Sequence, residues 1–271
     1  MSAAAAATEE EEEGNVPVAL CAISIAVILS FQFILSTGHR PAKPSDHVAR
    51  DRSDLHLPRK LHHLITGSLI YVASRFLGRG PGATVLLSFA LLCYGCHALR
   101  RQSNAFDAAY LKRFRRLMRP HEVANATLPG AYYFLLGSGC SLVLFQLRIA
   151  RLALLHMSVG DPAAAFFGTL CGRHKWVTLV GNLGGHKSLE GSIGCCGVAA
   201  LATFLVLMVE RDFYFDTSGD DGTVGAAAVI ALGAGIGAAA AEMINLGGWD
   251  DNLTLPLLSG VFLQLTVGCY L

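Results

Sequence analysis

The chain has 271 residues, 53% of them hydrophobic and only 15% charged, with a net charge of +1. Soluble domains carry about 25% charge, and a net charge this close to zero gives no global basic field for nucleic acid. The low charge is not uniform: apolar runs of spanning length alternate with short polar stretches, as when lipid is the solvent.

Residues 1–14 are Ala-rich and then acidic (Glu9 to Glu13), a low-complexity tail expected to be disordered and lacking the basic start of a secretory signal. The remainder, 15–271, reads as one membrane-embedded domain. Spanning segments are expected at 16–36, 61–78, 82–99, 130–147, 149–171, 191–209, 224–245 and 254–270, which makes an all-α polytopic bundle of about eight helices. The 61–78 segment holds two histidines and Arg75, and the 149–171 segment holds Asp161.

The loop at 37–60 carries Arg40, Lys43, Arg50, Arg52, Arg59 and Lys60. The histidine pair His62-His63 follows Arg59-Lys60, at the mouth of the second helix. Basic residues there flank a membrane segment and snorkel to the interface, or hold an anion. The third segment ends in Cys93-Tyr94-Gly95-Cys96-His97. It fits the haem attachment pattern C-x-x-C-H, but on the side assigned below to a reducing cytosol, so haem is not expected. Most of the eight cysteines sit inside apolar segments, where they pack as small residues.

The loop at 100–129 carries Arg100, Arg101, Lys112, Arg113, Arg115, Arg116 and Arg119. Within it, Phe106 to Arg116 has the spacing of an amphipathic helix lying on the membrane surface. Arg119-Pro-His-Glu122 and Gly130-Ala-Tyr132-Tyr133 follow. In the fifth segment, Gly160-Asp161-Pro162 is expected to break or kink the helix, because proline lacks an amide donor and glycine loosens its neighbours. A carboxylate at such a break holds a metal, accepts a proton, or is satisfied by a neighbouring helix.

The loop at 172–190 carries Arg173, Lys175 and Lys187. Gly184-Gly185-His186-Lys187-Ser188 opens the next helix. Glycines, a lysine and hydroxyls at a helix start suit phosphate or a plain N-cap. It is not a Walker A loop, because His186 replaces the glycine before the lysine. The next loop is acidic, with Asp212, Asp216, Asp220 and Asp221. In the seventh segment, Gly233-x-x-x-Gly237 suits close helix packing within one chain or between two. Glu242 ends that helix, and Trp249-Asp250-Asp251-Asn252-Leu-Thr254-Leu-Pro256 opens the last: oxygen ligands for Mg²⁺, or an Asx-type helix cap.

Sixteen of the 21 basic residues thus fall in three loops on one side of an eight-helix topology. The positive-inside rule makes that side cytosolic and puts both termini opposite. The sequons at Asn125 and Asn252 then face the cytosol and are expected to be unglycosylated. Cations, carboxylates and hydroxyls near one interface are what phosphoryl transfer requires, and membrane embedding points to a lipid acceptor.

At these residues the chain resembles the CTP-using lipid kinase family of diacylglycerol, dolichol and phytol kinases. The resemblance rests on Arg59-Lys60-x-x-His63, Arg119-x-x-Glu122 with Gly130-x-Tyr132-Tyr133, Gly160-Asp161-x-x-Ala164 with Gly168, Lys187-Ser188-x-x-Gly191-Ser192, and Glu242 with Asp251-Asn252. These elements occur in family order over 59–260 and most resemble the diacylglycerol kinase type; the Asp-Asn-Leu-Thr-x-Pro ending is shared with phytol kinases. The K-R-x-x-x-x-K-D signature of the related phosphatidate cytidylyltransferases is absent.

The resemblance implies transfer of a phosphoryl group from CTP, rather than ATP, to a lipid alcohol, with Mg²⁺ as cofactor. Arg59, Lys60, Arg119, Lys187 and Ser188 would hold the nucleotide, Asp161, Glu242 and Asp251 the metal, and Asp161, Lys187 and Asp251 would act in catalysis. It also implies an endoplasmic reticulum or nuclear envelope location, or the plastid envelope for a phytol kinase, with the oligomeric state open. A transporter using Asp161 at a broken helix is the non-enzymatic alternative, against which stands the lack of an internal repeat.

Overall fold

The computed structural model describes residues 57–181, 187–215 and 223–268. The expected tail, the first spanning segment, most of the first basic loop, Gly184–His186 and Asp216–Asp221 lie outside the described residues. Among the described residues the secondary structure is helical, apart from one isolated bridge.

The elements are α1 (Leu57–Ser74), α2 (Arg79–Gln102), α3 (Asn104–Phe114), a 3₁₀ turn (Arg115–Leu117), α4 (Pro120–Ala124), α5 (Gly130–Leu144), α6 (Leu147–Leu170), α7 (Trp176–Val180), α8 (Leu189–Val209), α9 (Arg211–Tyr214), α10 (Thr223–Met243) and α11 (Asp251–Thr266). Each expected span from 61 onward has its helix. Among the described residues three helices, α2, α8 and α10, are long and apolar enough to cross a membrane by length and composition; α5 is apolar but shorter, at 15 residues. The expected surface helix is α3, with Ser103 Oγ accepting from Phe106 N at its start. Arg100 fixes it to α2 through Asp107 at 2.7 Å and by stacking over Tyr110.

Helix α6 is the central post, packed by α1, α8 and α11. Ile149, Leu152, Leu154 and Met157 are fully enclosed there, joined by Phe134 and Leu142 of α5 and Leu207 of α8. His156 is buried in the same core, bonded to Ser259 Oγ at 2.7 Å and Thr203 Oγ1 at 2.9 Å. One ring thereby ties α6 to α11 and α8. The expected break in α6 is not found: the helix continues through Gly160, Asp161 and Pro162. Proline at 162 has no amide to offer the Ser158 carbonyl, a loss that a packed helical neighbourhood tolerates. Gly160 instead allows close approach, since a Cβ there would lie 3.0 Å from Cys195 Sγ.

Small residues set the other contacts. A Cβ on Gly235 would sit 2.5 Å from the Cys196 carbonyl oxygen, so α8 and α10 touch backbone to backbone. Gly233 and Gly237 face Val267 and Phe262 after and within α11, which places that glycine pair inside the chain's own packing. At the end of the bundle away from Lys60, Tyr71 donates to Glu210 at 2.6 Å, Arg75 Nε lies 3.3 Å from Glu210, and Arg151 donates to the Ser74 carbonyl at 2.7 Å.

Candidate functional site

The opposite end gathers the chemistry-bearing residues. Helices α1, α5, α8 and α11 all begin there and α10 ends there, bringing residues distant in sequence to one mouth. Each helix start also presents backbone amides, which favour negative charge nearby.

Lys60, in the first turn of α1, reaches Asp161 of α6 at 2.7 Å. His63, one turn further on, places Nδ1 3.7 Å from the same carboxylate oxygen. Its Nε2 is 3.0 Å from the Met157 carbonyl, which can only accept, so Nε2 carries the proton and Nδ1 faces Asp161. Arg59 stands in the combined field of Arg119, Asp161, Glu122 and Asp250.

The second group is built on Lys187, just before α8. Its ammonium bonds the Glu242 backbone carbonyl and Asp251 Oδ1 (3.0 Å), with Glu242 Oε1 at 3.7 Å. Ser188 is buried and serves as the N-cap of α8, its Oγ accepting from Gly191 N at 3.1 Å. A Cβ at Gly191 would lie 2.8 Å from the Ala164 carbonyl oxygen and 3.0 Å from Ser188 Oγ, and one at Gly168 3.0 Å from that same oxygen. The glycines therefore keep α6 and α8 close around the cap.

The third group is a buckle. Arg119 makes a two-pronged contact with Asp250, whose second prong is 3.2 Å. Buried Glu122 accepts from Arg119 N and from Gly130 N, both at 2.8 Å. Asn252 Nδ2 donates to the Gly130 carbonyl at 3.1 Å, and Asp250 caps α11 by accepting from Asn252 N at 3.0 Å. Burial works against charge on Arg119, but Asp250, with Glu122 and Asp161, outweighs it and raises the guanidinium above its ordinary basicity. Asn252, a sequon residue, is buried within this buckle.

Asp161 lies in the field of Arg59 and Arg119 on one side and of Glu242 on the other, which joins the three groups. Of the residues singled out from sequence, Arg59, Lys60, Arg119, Asp161, Lys187, Ser188, Glu242 and Asp251 lie at this end of the bundle. Sequence reasoning paired Arg119 with Glu122 but overlooked Asp250 as the partner of Arg119, and Trp176, which donates to Ser192 at 2.9 Å. No local pattern announces Asp250 or Trp176 in these roles, because their partners are set by tertiary packing.

Each acid faces a cation: Asp161 with Lys60, Asp251 and Glu242 with Lys187, Asp250 with Arg119. Among the described residues no three His, Cys, Asp or Glu side chains gather as a metal cage. Such a donor set fits Mg²⁺ in its usual nucleotide mode, with one or two carboxylates and the remaining ligands from phosphate and water.

An all-helical bundle with membrane-length apolar helices, and cations paired with carboxylates at one end, has the build of a membrane protein. Comparison with known proteins narrows the class. The chain is 26% identical over 219 residues to the CTP-dependent diacylglycerol kinase 1 of Saccharomyces cerevisiae, covering 78% of this chain and 73% of that protein. It is 29% identical to the proteins of the same name from Eremothecium gossypii (62% of this chain, 53% of that one) and Schizosaccharomyces pombe (59% and 70%). The motif resemblance to CTP-using lipid kinases is therefore matched by similarity along most of the chain. No family model matches. No solved structure matches either.

Proposed function

We propose that this chain is a CTP-dependent lipid kinase that phosphorylates diacylglycerol to phosphatidate. The observation that carries the reading is the mouth itself: Lys60, Lys187 and Arg119, each opposite a carboxylate, in a protein similar along most of its length to diacylglycerol kinases.

The two acids assigned to catalysis differ in setting. The Asp161 side chain is 17% exposed, within α6, whereas that of Asp251 is 45% exposed at the mouth. A lipid hydroxyl arrives from the apolar side and a nucleotide from water. Asp161 therefore suits the acceptor hydroxyl, and Asp251 and Glu242 suit the nucleotide side. Asp161 takes the hydroxyl proton as the lipid oxygen bonds to the γ-phosphorus; the bond to the β-phosphate oxygen breaks, and CDP leaves. Lys187, Arg59, Lys60 and Arg119 hold the phosphate oxygens, exchanging carboxylate partners for phosphate ones. Ser188 orders the amides at the start of α8 that face the phosphates. Mg²⁺, held through Glu242 and Asp251 when bound with the nucleotide, would neutralise developing charge.

The surrounding unit is proposed as one domain of about eight spans in the endoplasmic reticulum or nuclear envelope, with the site facing the cytosol. Diacylglycerol is preferred over dolichol and phytol because the relatives carry that name. The test is reconstitution with γ-labelled CTP or ATP and a panel of diacylglycerol, dolichol, phytol and phosphatidate. Label in phosphatidate from diacylglycerol and CTP is expected. Label from α-labelled CTP appearing in lipid would mean cytidylyl transfer, and no labelled lipid from any pairing would overturn the kinase reading.

A further inference from the structure

The described stretch after α6, through α7, lies against the start of α8. Its main chain is tied to the start of α8: Trp176 N donates to the Lys187 carbonyl and Leu189 N to the His174 carbonyl, both at 2.9 Å. Its one indole continues inward. Trp176 Nε1 donates to Ser192 Oγ at 2.9 Å, and Ser192 Oγ donates to Glu242 Oε2 at 3.2 Å. An indole N–H only donates and an ionised carboxylate only accepts, so this chain has a single direction and ends on Glu242. The other Glu242 oxygen, Oε1, is the one facing Lys187 at 3.7 Å. The Glu242 carbonyl and Asp251 hold the same ammonium.

We propose that Trp176 is a positioning residue for nucleotide binding, fixing the Glu242 carboxylate through Ser192 and so setting where Lys187 presents its ammonium. The inference rests on the kinase reading only for Lys187 as the phosphate-binding group. Outer partners that orient a binding carboxylate commonly change affinity by about tenfold or more when removed.

The test uses the full chain in lipid nanodiscs. The chain has two tryptophans, and the other, Trp249, is exposed. Trp249→Phe therefore leaves Trp176 as the only indole. Titration with CTP and Mg²⁺ is expected to change its emission saturably, and Lys187→Ala to abolish the change. Adding Ser192→Ala is expected to weaken the CTP dissociation constant read this way by about tenfold. In the lipid kinase assay, Trp176→Phe, which keeps an aromatic ring and removes the donor, should raise KM for CTP about tenfold with kcat within about threefold. The Trp176→Phe/Ser192→Ala double variant should be no worse than Ser192→Ala, since either cut severs the same chain. An emission indifferent to CTP, an unchanged KM, or additive losses would overturn the proposal. Saturable emission without lipid phosphorylation would overturn the kinase reading and leave the positioning role standing.

Discussion

The Lys60 ammonium lies 2.7 Å from Asp161 Oδ2, joining residues 101 apart in sequence, and it does so from the first turn of α1 to the interior of α6. About a fifth of each side chain reaches solvent. Removing one partner leaves the other charge largely desolvated. Lys60→Ala and Asp161→Asn are each expected to lower stability by about 3 kcal/mol, the low end for a buried pair. Both should abolish lipid phosphorylation. The Lys60→Asp/Asp161→Lys exchange should recover part of the stability, read by thermal unfolding in detergent, without recovering activity.

Lys187 is held by Glu242 and Asp251, and its proposed exchange to phosphate has a kinetic signature. Lys187→Ala should cost at least about a hundredfold in kcat/KM for CTP, the scale of a lost charged contact (about 3 kcal/mol). Lys187→Arg should recover only part, because a planar fork does not fit a site built around a compact ammonium. Steady-state kinetics over a range of CTP concentrations decides this; a Lys187→Ala protein with normal kcat/KM would remove the phosphate role.

Gly137 is where α5 meets α11. A Cβ there would stand 2.6 Å from the Asn252 carbonyl oxygen and 3.0 Å from Pro256 Cγ. Gly137→Ala should therefore displace the start of α11, costing about 1–3 kcal/mol as overpacking. The displaced turn carries Asp250 and Asp251, so activity per folded molecule should fall as well. Gly197→Ala, where nothing lies within 4 Å, is the matched control and should be silent in both measurements.

His156 offers a contrast between stability and catalysis. It is fully buried and bonded to Ser259 and Thr203, away from the mouth. His156→Ala removes the ring and strands two buried hydroxyls, at a cost of about 2–5 kcal/mol. The melting temperature should drop while kcat of the remaining folded protein stays near wild type. A selective loss of kcat would instead bring His156 into the reaction.

Much of this arrangement is legible in sequence where the physics is local. Apolar run length predicts a helix at each segment from 61 onward, and the aromatic and basic spacing of 106–116 predicts α3, because burial periodicity and lipid thickness act on contiguous residues. Helix caps at Ser188 and Asp250 are likewise short-range. Continuity of α6 through Gly160–Pro162 is not legible, since proline's local preference is overridden by the helices packed around it. Pairings such as Arg119 with Asp250, 131 residues apart, are invisible without the fold. The cation-rich and acidic motifs do mark the site; which acid answers which cation depends on how α1, α6, α8 and α11 pack.

The polar tie at the far end of the bundle bears on how α1 is held against α6. Arg151 grips the end of α1 at Ser74, while Lys60 grips α6 near the other end, at Asp161. These two contacts, ten residues apart along α6 and so about 15 Å apart in helix rise, tie α1 to α6 at both ends. Across the bundle end, the short connector from α10 to α11 turns through Gly247 and Gly248, whose left-handed φ angles of 48° and 95° come just before Asp250. Because Asp250 and Asp251 are adjacent at the start of α11, one turn of backbone sets a carboxylate against Arg119 and another against Lys187, which couples the two cations through a single hinge-like junction.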